Sequence, residues 1–517
     1  MRNKLHLYPD YTAEINALDN GGITAEGVDV KLLYRIINKH KYNAVYNKKL
    51  MERYQTLEEG IPIFSRKPRF DDDDNQLNNR VNNDFFSEII DFKVGYFAGE
   101  AIGYSYSNTD EAADVTGGKN AVDIASKTLT DFVVRNNMMD VDMETTKNAA
   151  ICGYSGRLFY IDYEGNERCI ALAPYETIVL SDTEPTEPRY ALRYYKTKDI
   201  NDKTLWKVEF YDSTYIYYYE GNLGNLSFVE CKPHMFDYCP LQIVPNNKEM
   251  IGDAEKVLPL IDAYDREFSD CVNEMESFAR AYMVLENVNA KPEDIKKAQR
   301  TGTLNFFTGA AQGKVYFLTK EVNDVFTDNQ LDRTEKNIYR FSKTPNLNDE
   351  QFSTASGISL KFKLTGLETK CGMFQAKMLA AGTYMFKVLA SSWRKKRIAF
   401  DPLQCVMDFK RNFPLDILSE AQAAQAMLAA GLPKRVAYSM AFSSIDDVDY
   451  VMRLIESEEN GIPDLLGGNS EDTNENDAAA LNRLIELLRK HGNNIDDVIA
   501  ELTQSSDSEG DENAAEK

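Results

Sequence analysis

The chain has 517 residues, with 59 Lys and Arg against 82 Asp and Glu, a formal net charge of −23 at pH 7 and 43% hydrophobic residues. That is the composition of a globular protein with a substantial core; its acidity argues against a general DNA-coating surface, because phosphate affinity needs clustered cations, and leaves open a protein that touches DNA without sticking to it. The opening MRNKLHLYPDYTAEINALDN lacks the apolar stretch of a signal peptide, and no window has the roughly 18 uninterrupted apolar residues of a membrane span. Seven cysteines scattered along the chain fit reduced thiols in a cytosolic setting better than a disulfide framework.

Along the chain, Val30 to Tyr46 combine helical apolar spacing with a basic face, and Tyr42 to Tyr54 are rich in Lys and Tyr. After the Asn-rich NQLNNRVNND, the residues Phe85, Ile89, Phe92, Val94 and Tyr96 predict a helical face ending near Gly95 and Gly99. Ala121 to Ala150 read as a second, mostly helical block. Residues 155–245 change to short Tyr-, Ile- and Val-rich runs, with turns at Gly165-Asn166, Gly221-Asn222 and Gly224-Asn225, an antiparallel meander. The first half is therefore α+β.

From Val257 the apolar residues Ile261, Tyr264, Phe268, Cys271, Met275, Phe278 and Tyr282 recur at 4-3 spacing, which predicts a long helix. Off that stripe lie Glu255, Asp262, Asp265, Asp270, Glu274 and Glu276, an acidic face turned to water or to something it repels. Residues 284–326 form an insert: KPEDIKKAQR as a small basic helix, TLNFFTG and KVYFLTK as strands with few local partners. Such unpaired edges invite pairing with a neighbouring subunit. Thr327 with Gln330 reads as a capping box opening the next helix. KTPNLNDEQFSTASG, residues 343–357, has the composition of a linker. Leu360 to Val388 then repeat the 4-3 spacing, interrupted by Gly366, Gly372 and Gly382, where a kink or a close helix contact is expected. A strand-like CVMDFKRNFP follows, then three short helices: Asp416 to Ala430, one opened by Pro433, and one capped by Ser444 with Asp447. Residues 456–477 read as an acidic linker, Ala478 to Leu502 as an amphipathic helix, and 503–517 as a disordered acidic tail.

Motifs for chemistry are weak. Asp71–Asp74 could hold a divalent ion in a metal-dependent nuclease, but the run lacks the Gly and distal Glu of a calcium loop. Cys231, His234 and Cys239 offer three zinc ligands without the second pair that closes a structural site. GYSG at 153–156 and GGK at 117–119 miss the spacing of a nucleophile elbow and a phosphate loop. WRKKR at 393–397 reads first as cations complementing a helix C-terminus, and alternatively as a site for DNA or an acidic partner. No catalytic constellation, cofactor site or metal site is expected. The readings that remain open on these residues are the nuclease and a scaffold of another kind.

Three segments, in order, carry a resemblance over roughly residues 40–455: NQLNNRVNNDFFSEIIDFKVGYFAGEAIGY, VPNNKEMIGDAEKVLPLIDAYDREFSD and FSKTPNLNDEQFSTASGISLKFKLTGLETK. Together they resemble the portal (head–tail connector) proteins of tailed bacteriophages with long non-contractile tails. The resemblance implies an α+β portal fold: an α/β wing, a long α-helical stem hairpin, a small β-containing clip and an α-helical crown. These assemble as a ring of about twelve subunits.

It places an N-terminal extension at 1–44, the wing at 45–250 and 358–413, stem helices at 251–283 and 327–342, and the clip at 284–326. The tunnel loop falls at 343–357 and the crown at 414–455. Asn346, Leu347, Asn348, Asp349, Glu350, Gln351 and Phe352 would line the channel, and Leu304, Phe306, Phe307, Val315 and Phe317 would be clip contacts. Implied partners are other copies of the chain, double-stranded DNA in transit, the terminase packaging motor, head–tail adaptors, and major capsid and scaffolding proteins. No membrane is among them. The implied setting is the virion's capsid vertex, after assembly in the bacterial host cytoplasm, without catalysis by this chain.

Overall fold

In the computed structural model the residues described are 3–24, 27–68, 77–106, 118–181, 185–198, 202–278, 282–286, 313–318, 324–346, 357–412 and 417–441, with 291, 293, 296 and 452. Asp71–Asp74, Leu304, Phe306, Phe307, TLNFFTG, residues 347–352, the Ser444-capped segment and everything from 456 onward lie outside them. The described residues up to Asn412, apart from Gly357 and Ile358, belong to one compact unit. The helices Ile417–Ala429 and Lys434–Ala441 belong to a second.

In the first unit a short helix α1 (Thr12–Ala17) and a two-residue hairpin (β1, Ile23–Thr24; β2, Gly27–Val28) precede α2 (Val30–Tyr54). Asp29 caps α2 by accepting from the Lys31 N–H at 3.0 Å. Leu32, Leu33, Ile36, Ile37 and Leu50 are its buried face, so the helix runs on through the Lys- and Tyr-rich stretch. α3 (Phe85–Ala98) is capped by Asp84. Its buried face is Phe86, Ile89, Ile90, Val94 and Phe97, not the expected Phe85, Phe92 and Tyr96, because the 3.6-residue period is set from Phe86. Lys93 lies inside that apolar face.

The block from 121 to 150 is two helices, α4 (Gly118–Arg135) and α5 (Met138–Cys152), preceded by the short strand β3 (Gly103–Tyr106). The break falls at Asn136, whose side chain takes up backbone groups of Phe132, Glu167 and Cys169, and at Asn137, which adopts φ +45°. Gly153 terminates α5 at φ +92°, with room for no Cβ because the Met250 carbonyl would lie 2.0 Å from it. GYSG is thus a helix stop, and the Tyr154 that follows is core.

The meander forms two sheets. β4 (Tyr154–Ile161) sits between β11 (Leu241–Pro245) and β5 (Glu167–Leu172). The second sheet runs β10-β9-β8-β7-β6, from Asn225–Pro233 through Tyr215–Asn222, Thr204–Tyr211 and Tyr190–Lys198 to Thr177–Leu180. Gly221-Asn222 and Gly224-Asn225 flank one hairpin, with Asn222 opposite Asn225, where the sequence suggests two turns. α1 and α2 cover this sheet through Ile15, Leu33, Ile36, Leu192 and Phe210.

The next helix, α6 (Leu258–Phe278), is shorter than the periodicity implies. Tyr282 has left it for β12 (Tyr282–Glu286), which pairs antiparallel with β13 (Lys314–Leu318). The strand in KVYFLTK therefore finds a partner in the same chain, in YMVLE, where the sequence suggested few local partners. α7 spans Asp324–Ser342, so Thr327 lies within the helix and makes no N-terminal cap. α8 (Gly357–Lys395) continues for 39 residues without interruption. At Gly382 a Cβ would come within 2.2 Å of the Met407 sulfur, the close contact expected of one of its glycines. Met407 belongs to β14 (Cys405–Asp408), which pairs with β3.

Candidate functional site: the long helices and the base of the 343–357 segment

The acidic residues of α6 are largely engaged by their own chain. Residues 79–83 run along the helix, and side chains at 265, 269, 273 and 276 receive them. The Asn79 N–H donates to Asn273 Oδ1 at 2.7 Å, and the Asn79 amide to Glu276 at 2.8 Å. The Val81 N–H donates to Ser269 Oγ at 3.0 Å, and the Asn83 N–H to Asp265 at 2.8 Å. The 4-4-3 spacing keeps these acceptors on one helix face, and alternate backbone N–H groups of an extended strand point the same way. The Asn-rich motif is therefore a strap stitched to α6.

Burial raises the Asp265 carboxyl pKa, and the Asn83 hydrogen bonds oppose that rise. Asp262 pairs with Arg53 at 2.7 Å, and Asp270 pairs with Arg66. Glu255 accepts from the Tyr46 hydroxyl at 3.0 Å and from the Gly252 N–H at 2.7 Å; Glu274 has a partner of its own. The six carboxylates thus do not make one open acidic face, and Asp265 is 1% exposed.

α6 and α7 meet through Ile261 and Ile338, both fully buried, and through aromatic edges, Phe85 standing 5.0 Å from Tyr264 and 5.8 Å from Tyr339. The Tyr339 hydroxyl donates to Glu88 at 2.8 Å. The outward side of α7 carries Arg333, Lys336 and Arg340, with Lys343 just beyond, all exposed and spaced 3-4-3. Asp328 and Asp332 of the same helix are exposed too, and Asp332 reaches Lys336 at 3.7 Å.

The start of the 343–357 segment is tied to a buried ionic group. Lys343 turns the chain at φ +60°, and the Thr344 N–H donates to the Tyr339 carbonyl at 3.2 Å. The Asn346 amide reaches back to Glu335 at 2.9 Å. Lys370 of α8 donates to the Ser342 carbonyl and pairs with Asp253, both at 2.9 Å. Asp253 also pairs with Lys93 at 2.6 Å, and Lys93 donates to Asn246 Oδ1 at 2.5 Å.

Burial would raise the Asp253 carboxyl, but Lys93 and Lys370 hold it below its ordinary value. Burial lowers the Lys93 ammonium, against the attraction of Asp253. The Asn-Asn turn ends in this group: Asn246 and Asn247 both donate to the Ile251 carbonyl, at 2.9 and 2.7 Å. One buried Asp therefore links α3, the lead-in to α6, the end of α7 and the middle of α8.

Sequence reasoning passed over Lys93, Asp253 and Lys370. The available signal was the lysine set among Ile89, Ile90 and Phe97, since a buried ammonium requires an acidic partner. Of the residues expected to line a channel, Asn346 is the one among those described; Val315 and Phe317 sit in β13, opposite Leu285 and Met283.

The other motifs resolve into structure. His234 bonds the Asp212 carbonyl and the Phe236 N–H, Cys239 is buried and Cys231 exposed, so the three do not converge. Among the described residues no group of three or more His, Cys, Asp or Glu could hold a metal. In WRKKR, Trp393 is buried, Lys395 pairs with Asp237 and Lys396 with Glu167, each at 2.7 Å. Among the described residues no helix is long and apolar enough to cross a membrane.

The chain is similar to known proteins over most of its length. A portal protein of Bacillus phage SPP1 is 25% identical over 441 residues, covering 79% of this chain and 83% of that protein. A portal protein of a Clostridium phage, phiCD119, is 23% identical over 360 residues, covering 64% of this chain and 75% of that protein. Residues 33–463 match the family described as phage portal protein, SPP1 Gp6-like. The chain belongs to the SPP1 Gp6-like family of phage portal proteins.

Proposed function

We propose that copies of this chain form a closed ring of about twelve subunits at one capsid vertex. Double-stranded DNA is packaged and later ejected through its channel. The ring also serves as the docking platform for the terminase motor and the head–tail adaptors, and sits among capsid and scaffolding proteins. In this reading α6 and α7 are the stem, 284–326 the clip, 343–357 the tunnel loop, and the two sheets with α8 the wing.

The carrying observation is the family match over residues 33–463, combined with the Lys93–Asp253–Lys370 group at the base of 343–357. A segment that touches moving DNA needs a stiff base, and a buried, doubly paired carboxylate supplies one, since each alternative arrangement leaves a charge unpaired in apolar surroundings. The portal family is structural, so no catalytic step is assigned to this chain and ATP hydrolysis belongs to the motor. The test is electron microscopy of the purified assembly viewed along its symmetry axis, together with DNA packaging into procapsids. A ring with a channel wide enough for a duplex is expected; a monomer at all salt and protein concentrations overturns the reading.

A further inference from the structure

A cleft with a volume of about 670 Å³ lies between α2 and the five-stranded sheet, away from the helices just considered. One wall is the outward stripe of α2: Tyr34, Asn38, Lys41, Val45 and Lys48, at 4-3-4-3 spacing. Apolar and cationic side chains alternate along it, and Tyr34 and Val45 remain 46% and 52% exposed. The other wall is aromatic. Trp206 of β8 stacks on Tyr194 of β7 at 5.8 Å, and the Lys196 ammonium lies 5.1 Å from the Trp206 ring. Leu223, in the β9–β10 turn, closes one end.

Charge distinguishes this groove from the rest of the molecule. α2 carries seven Lys and Arg against a single Glu, in a chain whose net charge is −23. Among the described residues Lys41 makes no ion pair, and Lys48 reaches Glu52 only at 3.6 Å. The one carboxylate in the lining, Glu176, is held above its ordinary pKa by burial, with Arg193 opposing the shift and Glu209 adding to it. Lys41, Lys48 and Lys196, by contrast, are exposed.

We infer that this groove is a docking site for an acidic peptide segment of a partner protein, with an aromatic or aliphatic anchor flanked by Asp and Glu. The anchor fills the space between Val45, Trp206 and Leu223, where apolar area otherwise stays in contact with water. The flanking carboxylates meet Lys41, Lys48 and Lys196, and the aromatic wall gives the anchor a rigid seat. Charge complementarity selects this occupant: exposed lysines border an apolar, aromatic wall, and a duplex presents phosphates without an anchor for that wall. The inference does not depend on the channel reading.

The test uses the purified full chain and a fluorescein-labelled synthetic peptide with a central Phe-Leu pair flanked by Asp and Glu, lacking Trp. Binding is followed by anisotropy and by the change in Trp206 emission. Lys41→Glu with Lys196→Glu should weaken binding about tenfold, and the doubly reversed protein should prefer the same peptide with Lys flanks. Val45→Asn, a neutral polar change at an exposed position that leaves the core intact, should weaken the Phe-Leu peptide and leave an all-acidic peptide without the anchor unchanged. Equal binding of acidic and basic peptides to the native protein overturns the inference. So does displacement of the peptide by a duplex oligonucleotide, or a changed subunit number with unchanged peptide affinity in the Lys41→Glu, Lys196→Glu variant.

Discussion

A single oxygen of Asp265 holds Asn83 twice, accepting from its backbone N–H at 2.8 Å and from its side-chain amide at 3.0 Å. The pair joins residues 182 positions apart and fastens the strap to α6 just before α3 begins. Removing the carboxylate leaves both donors without their acceptor. Asp265→Ala should therefore cost about 1–3 kcal/mol of stability. Asp265→Asn, which keeps one acceptor oxygen, should cost less. Urea unfolding of the two variants checks the ranking, and equal losses would mean that side-chain volume matters rather than the hydrogen bonds.

The Asp253 group makes a prediction about pH. The folded-state pKa of Asp253 is depressed, so its contribution is present above the unfolded carboxylate value of about 4 and disappears as pH falls through the lower folded value. Asp253→Asn leaves Lys93 and Lys370 buried without their counter-charge and should cost about 3–5 kcal/mol. The variant's melting temperature should also lose the part of the acid-side decline that this carboxylate supplies. An unchanged acid limb would show that the group carries no linkage.

Two glycines of α8 separate packing from helix propensity. At Gly382 a new Cβ meets the Met407 sulfur at 2.2 Å, so Gly382→Ala must displace a buried side chain and should destabilise by about 1–3 kcal/mol. At Gly372 nothing lies within 4 Å, so Gly372→Ala should stabilise by about 1 kcal/mol through its better helix propensity. Thermal unfolding should show opposite signs; the same sign for both would contradict the contact at Met407.

For the 343–357 segment, deletion of residues 346–351 should leave ring assembly intact and impair DNA packaging. The base of the segment, formed by Lys343, Thr344 and the Lys370 bond to Ser342, stays in place in that variant. Native mass measurement and a packaging assay give the two readouts. Normal packaging would make the segment a plain connector.

What the sequence by itself determined was the kind and order of elements: the long helices from their 4-3 spacing, the meander from alternating Tyr, Ile and Val, and the family from three motifs in order. These signals are local, so a window of neighbouring residues contains them. Boundaries and partners were decided elsewhere. Tyr282 fits the helical stripe of α6 but is drawn into β12 by pairing with Leu318, and Thr327 fits a cap but lies inside α7. The carboxylates of α6 looked like a solvated face because Arg53, Arg66, Asn79 and Asn83, which neutralise or bond them, come about two hundred residues earlier. Lys93, Asp253 and Lys370 likewise meet only once α3, α8 and the lead-in to α6 have packed. A charge buried in apolar surroundings is stable only beside its counter-charge, and that proximity is a property of the tertiary fold.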